Sequence, residues 1–468
     1  MIHWQSVQIK IRTTILLDKV SLKFSRGESL GILGANGSGK TVLAKAIAGK
    51  LPVFGQNTSE NIQATYVSFQ SEFQLKHGAK GYRQQRWNWT DPEFIPTVQE
   101  KFDKIENQKE LQKLIQQFNF QGHLQRFVIS LSNGEQRKFE LIKALSSKPD
   151  LLVIDNAFNG LDKASRALLT DMLNQLVESG RSVVLTGLKE EDFPKYFQQF
   201  VYIDEQKNCK FLSRNELPNG NPPTMLDSGK IPNWKNSDYN EIIKLNNLHL
   251  EFGGKSILKN INWEVNAGEC WVLSGGNGSG KTSLLNMIFA DNPKAYQCDI
   301  RLFGKQKGSG ESIWEIKDLI GFVSPEMHQY LPGKQSVNDV ICSGFFVSEG
   351  LYQKPTSYLR NVAAQWLNLI GLKPLNDKPF EKLPASAQRM ILVLRALVKN
   401  PPLILLDEPF QGLDSNNIKR MKLLLNTIAE HTNCAMIFVT HFEEEIPEAF
   451  NLELKLNTGE IAFIGKRN

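Results

Sequence analysis

The feature that most constrains this chain is an eight-residue glycine-rich motif that occurs twice. The pattern G-x-x-x-x-G-K-[ST] is matched at residues 34–41 and again at residues 275–282. In such a loop, backbone N–H groups and the positive end of the following helix cradle phosphate groups. A single match can arise by chance, but here each copy is followed by the same further motifs in the same order. The chain is therefore predicted to hold two copies of one phosphate-binding unit.

Composition restricts the class of protein. The chain has 468 residues, enough for two or three domains, and its 41% apolar and 22% charged residues are typical of soluble globular proteins. No apolar run approaches the roughly 18–20 residues of a membrane helix, and the N-terminus lacks an apolar signal core. The net charge of +6 does not indicate nucleic acid. We expect a cytoplasmic protein without direct membrane insertion; peripheral attachment to the inner face of the plasma membrane is the alternative.

The spacing of the five cysteines limits the metal sites that the chain could hold. They are far apart in the sequence and include no C-x-x-C pair. A zinc or iron–sulfur insert is therefore not expected, and reduced thiols are the simplest interpretation.

A long internal repeat organises the chain. Lys40 and Lys281 are 241 positions apart, while Asp155 and Asp407, each at the end of a short apolar run, are 252 positions apart. The apolar runs and the glycine-rich loops indicate buried parallel strands that feed helices. Each half is therefore predicted to be an α/β domain with its ligand groups at the carboxyl ends of the strands.

The predicted domain boundaries follow from the repeat. The first domain is placed at residues 1–213 and the second at residues 241–468. Residues 214–240 are rich in Pro, Gly and Asn and lack helical periodicity, so they are predicted to be a linker.

The ordered motifs resemble those of the ATP-binding cassette (ABC) ATPases over nearly the whole chain. The resemblance rests on the two Walker A loops, the runs LLVID and LILLD that end at Asp155 and Asp407, and the signature-like sequence LSNGE at residues 131–135. In that family, two cassettes pair head to tail, and each ATP lies between the Walker motifs of one cassette and the signature loop of the other. The resemblance implies two tandem P-loop cassettes that bind ATP and Mg²⁺ and hydrolyse ATP.

The resemblance assigns phosphate and metal ligands in both halves. The phosphate-binding residues are Gly34, Asn36, Gly37, Ser38, Gly39, Lys40 and Thr41 in the first half, and Gly275, Asn277, Gly278, Ser279, Gly280, Lys281 and Thr282 in the second. The lysine is expected on the β- and γ-phosphates. The expected Mg²⁺ ligands are Thr41, Asp155, Thr282 and Asp407.

The second half also matches the family at its catalytic positions. Glu408 follows Asp407, where the family places the base that polarises the attacking water. His441 matches the switch histidine that senses the γ-phosphate, and Lys281 completes the catalytic set. Phe252 lies where an aromatic ring stacks on adenine, although a core strand position would also explain an aromatic residue there.

The first half departs from the family at the same positions. The base position is Asn156, whose amide can orient water but cannot accept its proton. The switch position is Gly187, and the adenine-stacking position aligns with Ile11. This half is expected to bind MgATP and to hydrolyse it poorly.

The signature loop, by contrast, departs from the family in the second half and not in the first. Ser132 and Gly134 keep the donor and the close backbone approach that the motif supplies in the first half. The aligned positions of the second half are Pro384 and Ser386, with Ala385 between them, and proline also lacks an N–H.

Head-to-tail pairing would gather these departures into one site. One composite site would combine Lys281, Asp407, Glu408 and His441 with Ser132 and Gly134, and it would be complete. The other would combine Asn156 and Gly187 with Pro384 and Ala385. We hypothesise an intramolecular cassette pair with one hydrolytic and one structural ATP site.

Two further family loops can be placed by alignment. Gln70 and Glu326 are candidates for the Q-loop, one residue later than the usual frame, and they are equally well explained as plain loop residues. The D-loops, residues 160–162 and 412–414, are intact in both halves and are expected to cross the cassette interface.

The ATPase could drive one of three processes. The first is membrane transport with separate permease subunits. The second is a translation function of the ABC-F type, but the proline-containing linker cannot form a long helical pair. The third is DNA repair, but neither half has room for a zinc module or long coiled coil between its Walker A and signature motifs.

Four stretches of the second half resemble a narrower group within the ABC family. Residues 302–304 (LFG), 308–317 (GSGESIWEIK), 343–346 (SGFF) and 350–353 (GLYQ) look like those of the ModF-type proteins, known as molybdenum-transport or photorepair ATP-binding proteins. This resemblance implies the ATPase component of a molybdenum transporter. Asn156 departs from that group, where Glu is expected. A soluble regulatory ATPase with no permease is the alternative.

Overall fold

The computed structural model describes most of the chain. The described residues are 1–60, 62–69, 96–128, 131, 133–158, 161, 163–204, 206–218, 231–232, 234–252, 255–289, 292–325, 327, 334–346, 348 and 350–467. The chain divides into two compact units, Met1–Asn219 and Gly220–Asn468.

The described part of the first unit has nine strands in two sheets. They are β1 Ile2–Ile11, β2 Thr14–Phe24, β3 Ser29–Gly34, β4 Val53–Asn57, β5 Ala64–Ser68, β6 Leu151–Asp155, β7 Ser182–Gly187, β8 Gln199–Ile203 and β9 Cys209–Ser213. An antiparallel sheet has the order β2-β1-β4. The larger sheet has the order β5-β6-β7-β3-β8-β9, and only the edge strand β9 runs antiparallel to its neighbour.

Five α-helices accompany these strands in the described part of the first unit. They are α1 Lys40–Ile47, α2 Val98–Phe102, α3 Gln108–Gln117, α4 Asn133–Leu145 and α5 Lys163–Glu178. One apolar cluster packs α1 between the antiparallel sheet and the large sheet. A second cluster packs α2 to α5 against the large sheet.

The described part of the second unit repeats this plan with ten strands. They are β10 Glu241–Phe252, β11 Lys255–Asn266, β12 Cys270–Gly275, β13 Asp299–Leu302, β14 Lys305–Gln306, β15 Ile320–Val323, β16 Leu403–Asp407, β17 Ala435–Val439, β18 Leu452–Asn457 and β19 Glu460–Lys466. The antiparallel sheet is β11-β10-β13-β14, and the large sheet is β15-β16-β17-β12-β18-β19. The large sheets of the two units therefore share one strand order.

Six α-helices complete the described part of the second unit. They are α6 Lys281–Ile288, α7 Ile313–Asp318, α8 Val337–Cys342, α9 Ser357–Leu369, α10 Ala385–Leu397 and α11 Ser415–His431. Trp366 on α9 is fully buried in the cluster that α8 to α11 form with the large sheet.

The burial of the central strands explains their sequences. Every residue of β6 and β16 is buried, because a parallel strand covered on both faces has no solvent-facing side. The predicted α/β class with two tandem copies is confirmed. Among the described residues, no helix combines the length and apolarity that a membrane crossing requires.

The ends of the predicted linker pack on the units beside them. Arg214 donates hydrogen bonds to backbone oxygens of Pro194 and Phe193, both in the first unit. Trp234 packs edge-on against Trp366 of the second unit, with ring centroids 6.2 Å apart. The boundaries at residues 213 and 241 stay predictions.

Candidate nucleotide sites

Both Walker A loops connect a buried strand to the start of a helix. The loops follow β3 and β12, and helices α1 and α6 begin at Lys40 and Lys281. Gly39 and Gly280 precede these helices with φ of 114° and 104°, a region that L side chains rarely adopt. Each loop therefore turns sharply and presents the N-terminus of its helix.

The Walker lysines lie over their own loops. The Lys40 Nζ donates to the carbonyl oxygens of Gly34 and Ala35 at 2.7 and 2.8 Å. The Lys281 Nζ donates to Gly275 and Gly276 at 2.8 and 3.0 Å. The two lysines therefore adopt the same position in the two halves.

The loops have the features of a phosphate cradle. A Cβ on Gly34 would lie 2.5 Å from the Ile203 oxygen, and one on Gly275 would meet the Leu456 oxygen, so neither position has room for a side chain. The Ser38 and Ser279 hydroxyls are buried and lack a hydrogen-bond partner among the described residues. Since a hydroxyl can donate to a phosphate oxygen, the residues present fit a nucleotide phosphate.

The Walker B carboxylate of the second half lies beside the Walker A threonine. The Thr282 hydroxyl donates to Asp407 Oδ2 at 3.2 Å. Burial, and then the neighbouring Glu408 carboxylate, raise the pKa of Asp407 to about 6. A hydroxyl beside a carboxylate is the oxygen set that Mg²⁺ prefers, so the pair fits that metal.

The predicted base and switch residues of the second half are in contact. His441 Nε2 lies 3.2 Å from Glu408 Oε1, and both side chains are only partly exposed. Glu408 follows β16 with a φ of 46°, and its N–H donates to the Val439 oxygen at the end of β17. Neighbouring parallel strands thus deliver the glutamate and the histidine to one edge of the sheet.

The corresponding carboxylate of the first half has more partners. Asp155 Oδ2 accepts hydrogen bonds from Thr41 and from the Tyr66 hydroxyl, each at 2.8 Å. Its Oδ1 accepts from the Thr186 hydroxyl at 2.7 Å. Asn156 follows with a φ of 55°, and its N–H donates to the same Thr186 hydroxyl at 2.9 Å.

The switch position of the first half is closed by packing. Gly187 ends β7, and a Cβ there would lie 2.7 Å from the ring of the buried Phe193 and 3.0 Å from Asp192 Cβ. Asp192 accepts hydrogen bonds from Arg166 and from the Leu188 N–H at 2.8 and 2.9 Å. The space that a switch side chain would enter is therefore filled by structural residues.

Comparison with known proteins agrees with this geometry. The family model described as ABC transporter matches residues 17–159 and 258–411, more than half of the chain. The chain belongs to the ABC transporter family. It is a tandem ABC ATP-binding protein and an ATPase of the ABC type.

Two relatives match the ABC protein over nearly its whole length. The ABC transporter ATP-binding protein ModF of Escherichia coli is 33% identical over 95% of this chain and 94% of its own length. The uncharacterized ABC transporter ATP-binding protein C323.04 of Schizosaccharomyces pombe is 28% identical over 97% of this chain and 98% of its own length. The resemblance to the ModF-type group is thereby confirmed.

A solved structure has the same fold. It is the archaeal ribosome recycling factor aABCE1 in complex with the ribosomal stalk protein aP1. The match has a TM-score of 0.65 and 15% identity, and it covers 99% of this chain and 90% of that chain. At this identity, the likeness shows the fold alone.

The two hairpins of the ABC protein present the predicted adenine positions in one register. Phe252 pairs with Lys255 at the end of one hairpin, and Ile11 pairs with Thr14 at the end of the other. Both side chains are about half exposed, and the Lys294 Nζ lies 5.9 Å from the centroid of the Phe252 ring. Phe252 is therefore accessible, as stacking requires, and it is not a core residue.

The signature residues lie at the starts of equivalent helices, α4 and α10. Gly134 lies in the first turn of α4, and Ser132 lies outside the described residues. In the second half, Pro384 precedes α10 without a side-chain cap, and Ser386 is buried. The buried Ser386 is not presented at the surface of its own unit.

The remaining predicted residues belong to the Q-loops and the D-loops. Gln70, Glu326 and Asp162 lie outside the described residues. Asp414 of the second D-loop caps α11, where its Oδ1 accepts from the Asn417 N–H at 2.9 Å. This cap gives Asp414 a structural role within its own unit.

A buried arginine that the sequence analysis did not single out joins the signature helix to other site segments. Arg389 on α10 donates to the carbonyl oxygens of Ser324 and Pro325 at 3.0 and 3.3 Å. Burial lowers the pKa of Arg389, and the negative charges of Glu408 and Asp407 oppose that shift. An arginine among apolar positions of a helix was the only available signal.

The equivalent arginine of the first half has different partners. Arg137 on α4 donates to the Asn156 oxygen at 3.1 Å and lies 4.6 Å from the centroid of the Phe69 ring. Burial, and then the charge of Arg166, lower the pKa of Arg137 to about 10. Both arginines therefore contact the segment after the edge strand of the large sheet, and Arg137 also contacts the residue that follows the Walker B strand.

Proposed function

We propose that the two cassettes pair head to tail into one hydrolytic and one structural ATP site. The hydrolytic site combines Lys281, Asp407, Glu408 and His441 with the signature residues Ser132 and Gly134. The observation that carries the proposal is the 3.2 Å contact between Glu408 and His441. The first half has Asn156 and Gly187 at these two positions.

The residues of the second half divide the chemistry among themselves. Lys281 neutralises phosphate charge, and the Glu408 carboxylate accepts a proton from the attacking water. His441 holds that carboxylate in place through the contact with Nε2. Thr282 and Asp407 hold Mg²⁺, which supplies positive charge to the phosphate oxygens when it is bound.

The residues of the first half support binding without turnover. Lys40 and Thr41 keep the cradle and the hydroxyl, whereas Asn156 cannot accept a proton. Across the proposed interface, this half would meet Pro384 and Ala385, which offer no hydroxyl donor. ATP held there would stabilise the closed pair.

Matched lysine variants test the division of labour. Lys281→Ala is expected to lower steady-state ATP hydrolysis by about 10²-fold or more, since it removes charge from the reacting phosphates. Lys40→Ala is expected to weaken nucleotide-dependent closure and to keep most of the turnover at saturating ATP. Equal losses of turnover in the two variants would contradict the proposal.

We infer that the pair is the ATPase component of an ABC transporter, working with membrane permease subunits. Support comes from 33% identity to the Escherichia coli ATP-binding protein named ModF. Residues 302–317 and 343–353 resemble the ModF-type molybdenum-transport proteins, which makes molybdate the cargo to test. The protein would then act at the inner face of the plasma membrane.

A soluble regulatory ATPase without a permease is the second candidate. It is favoured by the presence of two cassettes in one chain, because such a chain needs no permease pair to bring its cassettes together. High basal ATP hydrolysis without a membrane partner would support it. Hydrolysis that stays low until a permease is added would support transport.

Capture of partners separates the two candidates. The Glu408→Gln chain loaded with MgATP is expected to stay closed, because it binds ATP without hydrolysing it. Copurification of membrane permease subunits would support transport. Recovery of only soluble partners or ribosomes would favour the regulatory function.

A further inference from the structure

The Walker B carboxylate of the first half carries an additional hydrogen bond from a tyrosine. The Tyr66 hydroxyl donates to Asp155 Oδ2 at 2.8 Å, the same oxygen that accepts from Thr41. A phenolic hydroxyl is protonated at neutral pH, so it acts as a hydrogen-bond donor to the carboxylate. The Lys50 Nζ lies 4.8 Å from the centroid of the Tyr66 ring and helps to fix it.

The equivalent position of the second half has no hydroxyl. Tyr66 pairs with Val153 on the Walker B strand β6, and Phe322 pairs with Leu405 at the matching register of β16. The Phe322 ring stacks on Phe289, with centroids 4.4 Å apart.

The carboxylates differ accordingly. In the described part of the chain, Asp407 accepts a hydrogen bond from Thr282 alone, whereas Asp155 accepts from Thr41, Tyr66 and Thr186. The Tyr66 bond is therefore peculiar to the first half.

Such a bond competes with a metal whichever way the metal is held. Mg²⁺ binds carboxylate oxygens directly or through its own waters, and it requires nearly ideal octahedral geometry. A bound water would have to donate to the carboxylate, as Tyr66 already does. The oxygen that accepts from Tyr66 is the one that accepts from Thr41, and Thr41 is itself an expected metal ligand.

We propose that Tyr66 is a specificity-determining residue of the first half, whose hydroxyl competes with Mg²⁺ for Asp155. The first site then binds ATP with a much weaker dependence on Mg²⁺ than the second site. This inference rests on the proposed function of the first half as a nucleotide-binding site. Retention of nucleotide with little help from a metal suits a site that stabilises and does not hydrolyse.

The test measures nucleotide binding by the full-length chain. Lys281→Ala removes the phosphate lysine of the second site, and a non-hydrolysable ATP analogue is titrated with saturating Mg²⁺ or with EDTA. The dissociation constant in EDTA, divided by the dissociation constant in Mg²⁺, gives the magnesium dependence of the first site. Tyr66→Phe in this background is expected to increase that ratio by about tenfold or more, because a hydrogen bond to a charged group is lost.

Two further variants make the test specific. Tyr196→Phe is the matched control, since the exposed Tyr196 hydroxyl also donates to a carboxylate, that of Glu178, at 2.8 Å. It is expected to leave the ratio unchanged. Phe322→Tyr in a Lys40→Ala chain is expected to lower the magnesium dependence of the second site by a similar factor. Thermal unfolding verifies that each variant is folded.

The possible results distinguish the role of Tyr66 from the proposed binding of nucleotide by the first half. An unchanged ratio in a folded Tyr66→Phe chain would overturn the role of Tyr66 and leave the first site as a nucleotide-binding site. No binding of the analogue by the Lys281→Ala chain, with or without Mg²⁺, would overturn both. A larger ratio for Tyr66→Phe alone, with Tyr196→Phe unchanged, supports the inference.

Discussion

In the second half, Glu408 and His441 lie 3.2 Å apart just beyond two neighbouring strands, whereas the first half has Asn156 and Gly187 at the same two places. The strand order around these residues is the same in both halves. The same fold therefore carries different side chains at this edge of the sheet, and we propose that these two positions separate a hydrolytic site from a structural one.

The threonine that precedes each switch position extends the comparison. Thr186 donates to Asp155 in the first half, whereas Thr440 donates to Glu445 Oε2 at 3.0 Å in the second. The first half thus ties its Walker B carboxylate into the protein. In the described part of the second half, Asp407 accepts only from Thr282, and burial, followed by the Glu408 charge, raises its pKa.

Loss of the proposed base is expected to change ATP hydrolysis more than any other substitution. Glu408→Gln keeps the side-chain shape but cannot accept a proton, so steady-state ATP hydrolysis is expected to fall by about 10²–10⁴-fold. Asn156→Ala is the matched variant in the first half. Its rate of ATP hydrolysis is expected to stay within about twofold of the parent rate, because the Asn156 amide cannot act as a base. Phosphate release measures both rates, and robust turnover by the glutamine variant would refute the assignment.

The next effect concerns the switch position. His441→Ala should lower turnover by about 10²-fold, because Glu408 loses the partner that orients it. The reverse change, Gly187→His, should not increase turnover, and it should lower the free energy of unfolding by about 1–3 kcal/mol, because its Cβ would overlap Phe193.

Gly122→His is the control for that loss of stability. A Cβ on the exposed Gly122 meets nothing within 4 Å, so this variant should unfold like the parent. Thermal and denaturant unfolding compare the three chains. A Gly187→His chain as stable as the parent would show that the pocket at Phe193 can open.

The raised pKa of Asp407 should make the stability of the chain depend on pH. The pKa of this carboxyl is raised to about 6, so the folded chain binds more protons than the unfolded chain between pH 4 and 6. The free energy of unfolding of the metal-free chain should therefore fall as the pH rises through this range, by up to about 3 kcal/mol from this group.

Asp407→Asn isolates that contribution. Denaturant unfolding in EDTA should show the variant gaining stability over the parent as the pH rises from 4 to 7. A constant difference between the two chains across this range would mean that burial does not shift the Asp407 pKa.

The smallest effect concerns backbone strain. Glu408 and Asn156 both have positive φ, which asparagine tolerates better than glutamate or glutamine. Glu408→Asn should therefore unfold with a free energy about 1 kcal/mol higher than Glu408→Gln, since both variants lose the same charge. Asn156→Gln should lose a similar amount of stability. Equal stabilities within each pair would exclude strain as a difference between the halves.

Motifs and periodicity predicted the parts of the fold that repeat. The α/β class, the two Walker A loops and the ABC family followed from residues such as Lys40 and Lys281, because their spacing is set by the chemistry of phosphate binding. The exposed position of Phe252 agrees with the stacking role that remains a prediction.

Contacts between residues that are distant in the chain could not be predicted from the sequence. The bond from Tyr66 to Asp155 depends on the register of β5 against β6, and the closure of the Gly187 position depends on how the Phe193 ring packs. Tyr66 and Phe193 belong to no motif with a fixed spacing, so only the three-dimensional structure shows that they lie at the site.

The most direct test of the asymmetry counts nucleotides through a single turnover. The full-length chain is saturated with MgATP, separated rapidly from excess nucleotide, and analysed for bound ATP, bound ADP and released phosphate. The account predicts two nucleotides bound per chain and one phosphate released, with one ATP left intact. Release of two phosphates per chain at similar rates would contradict it, because both sites would then be hydrolytic.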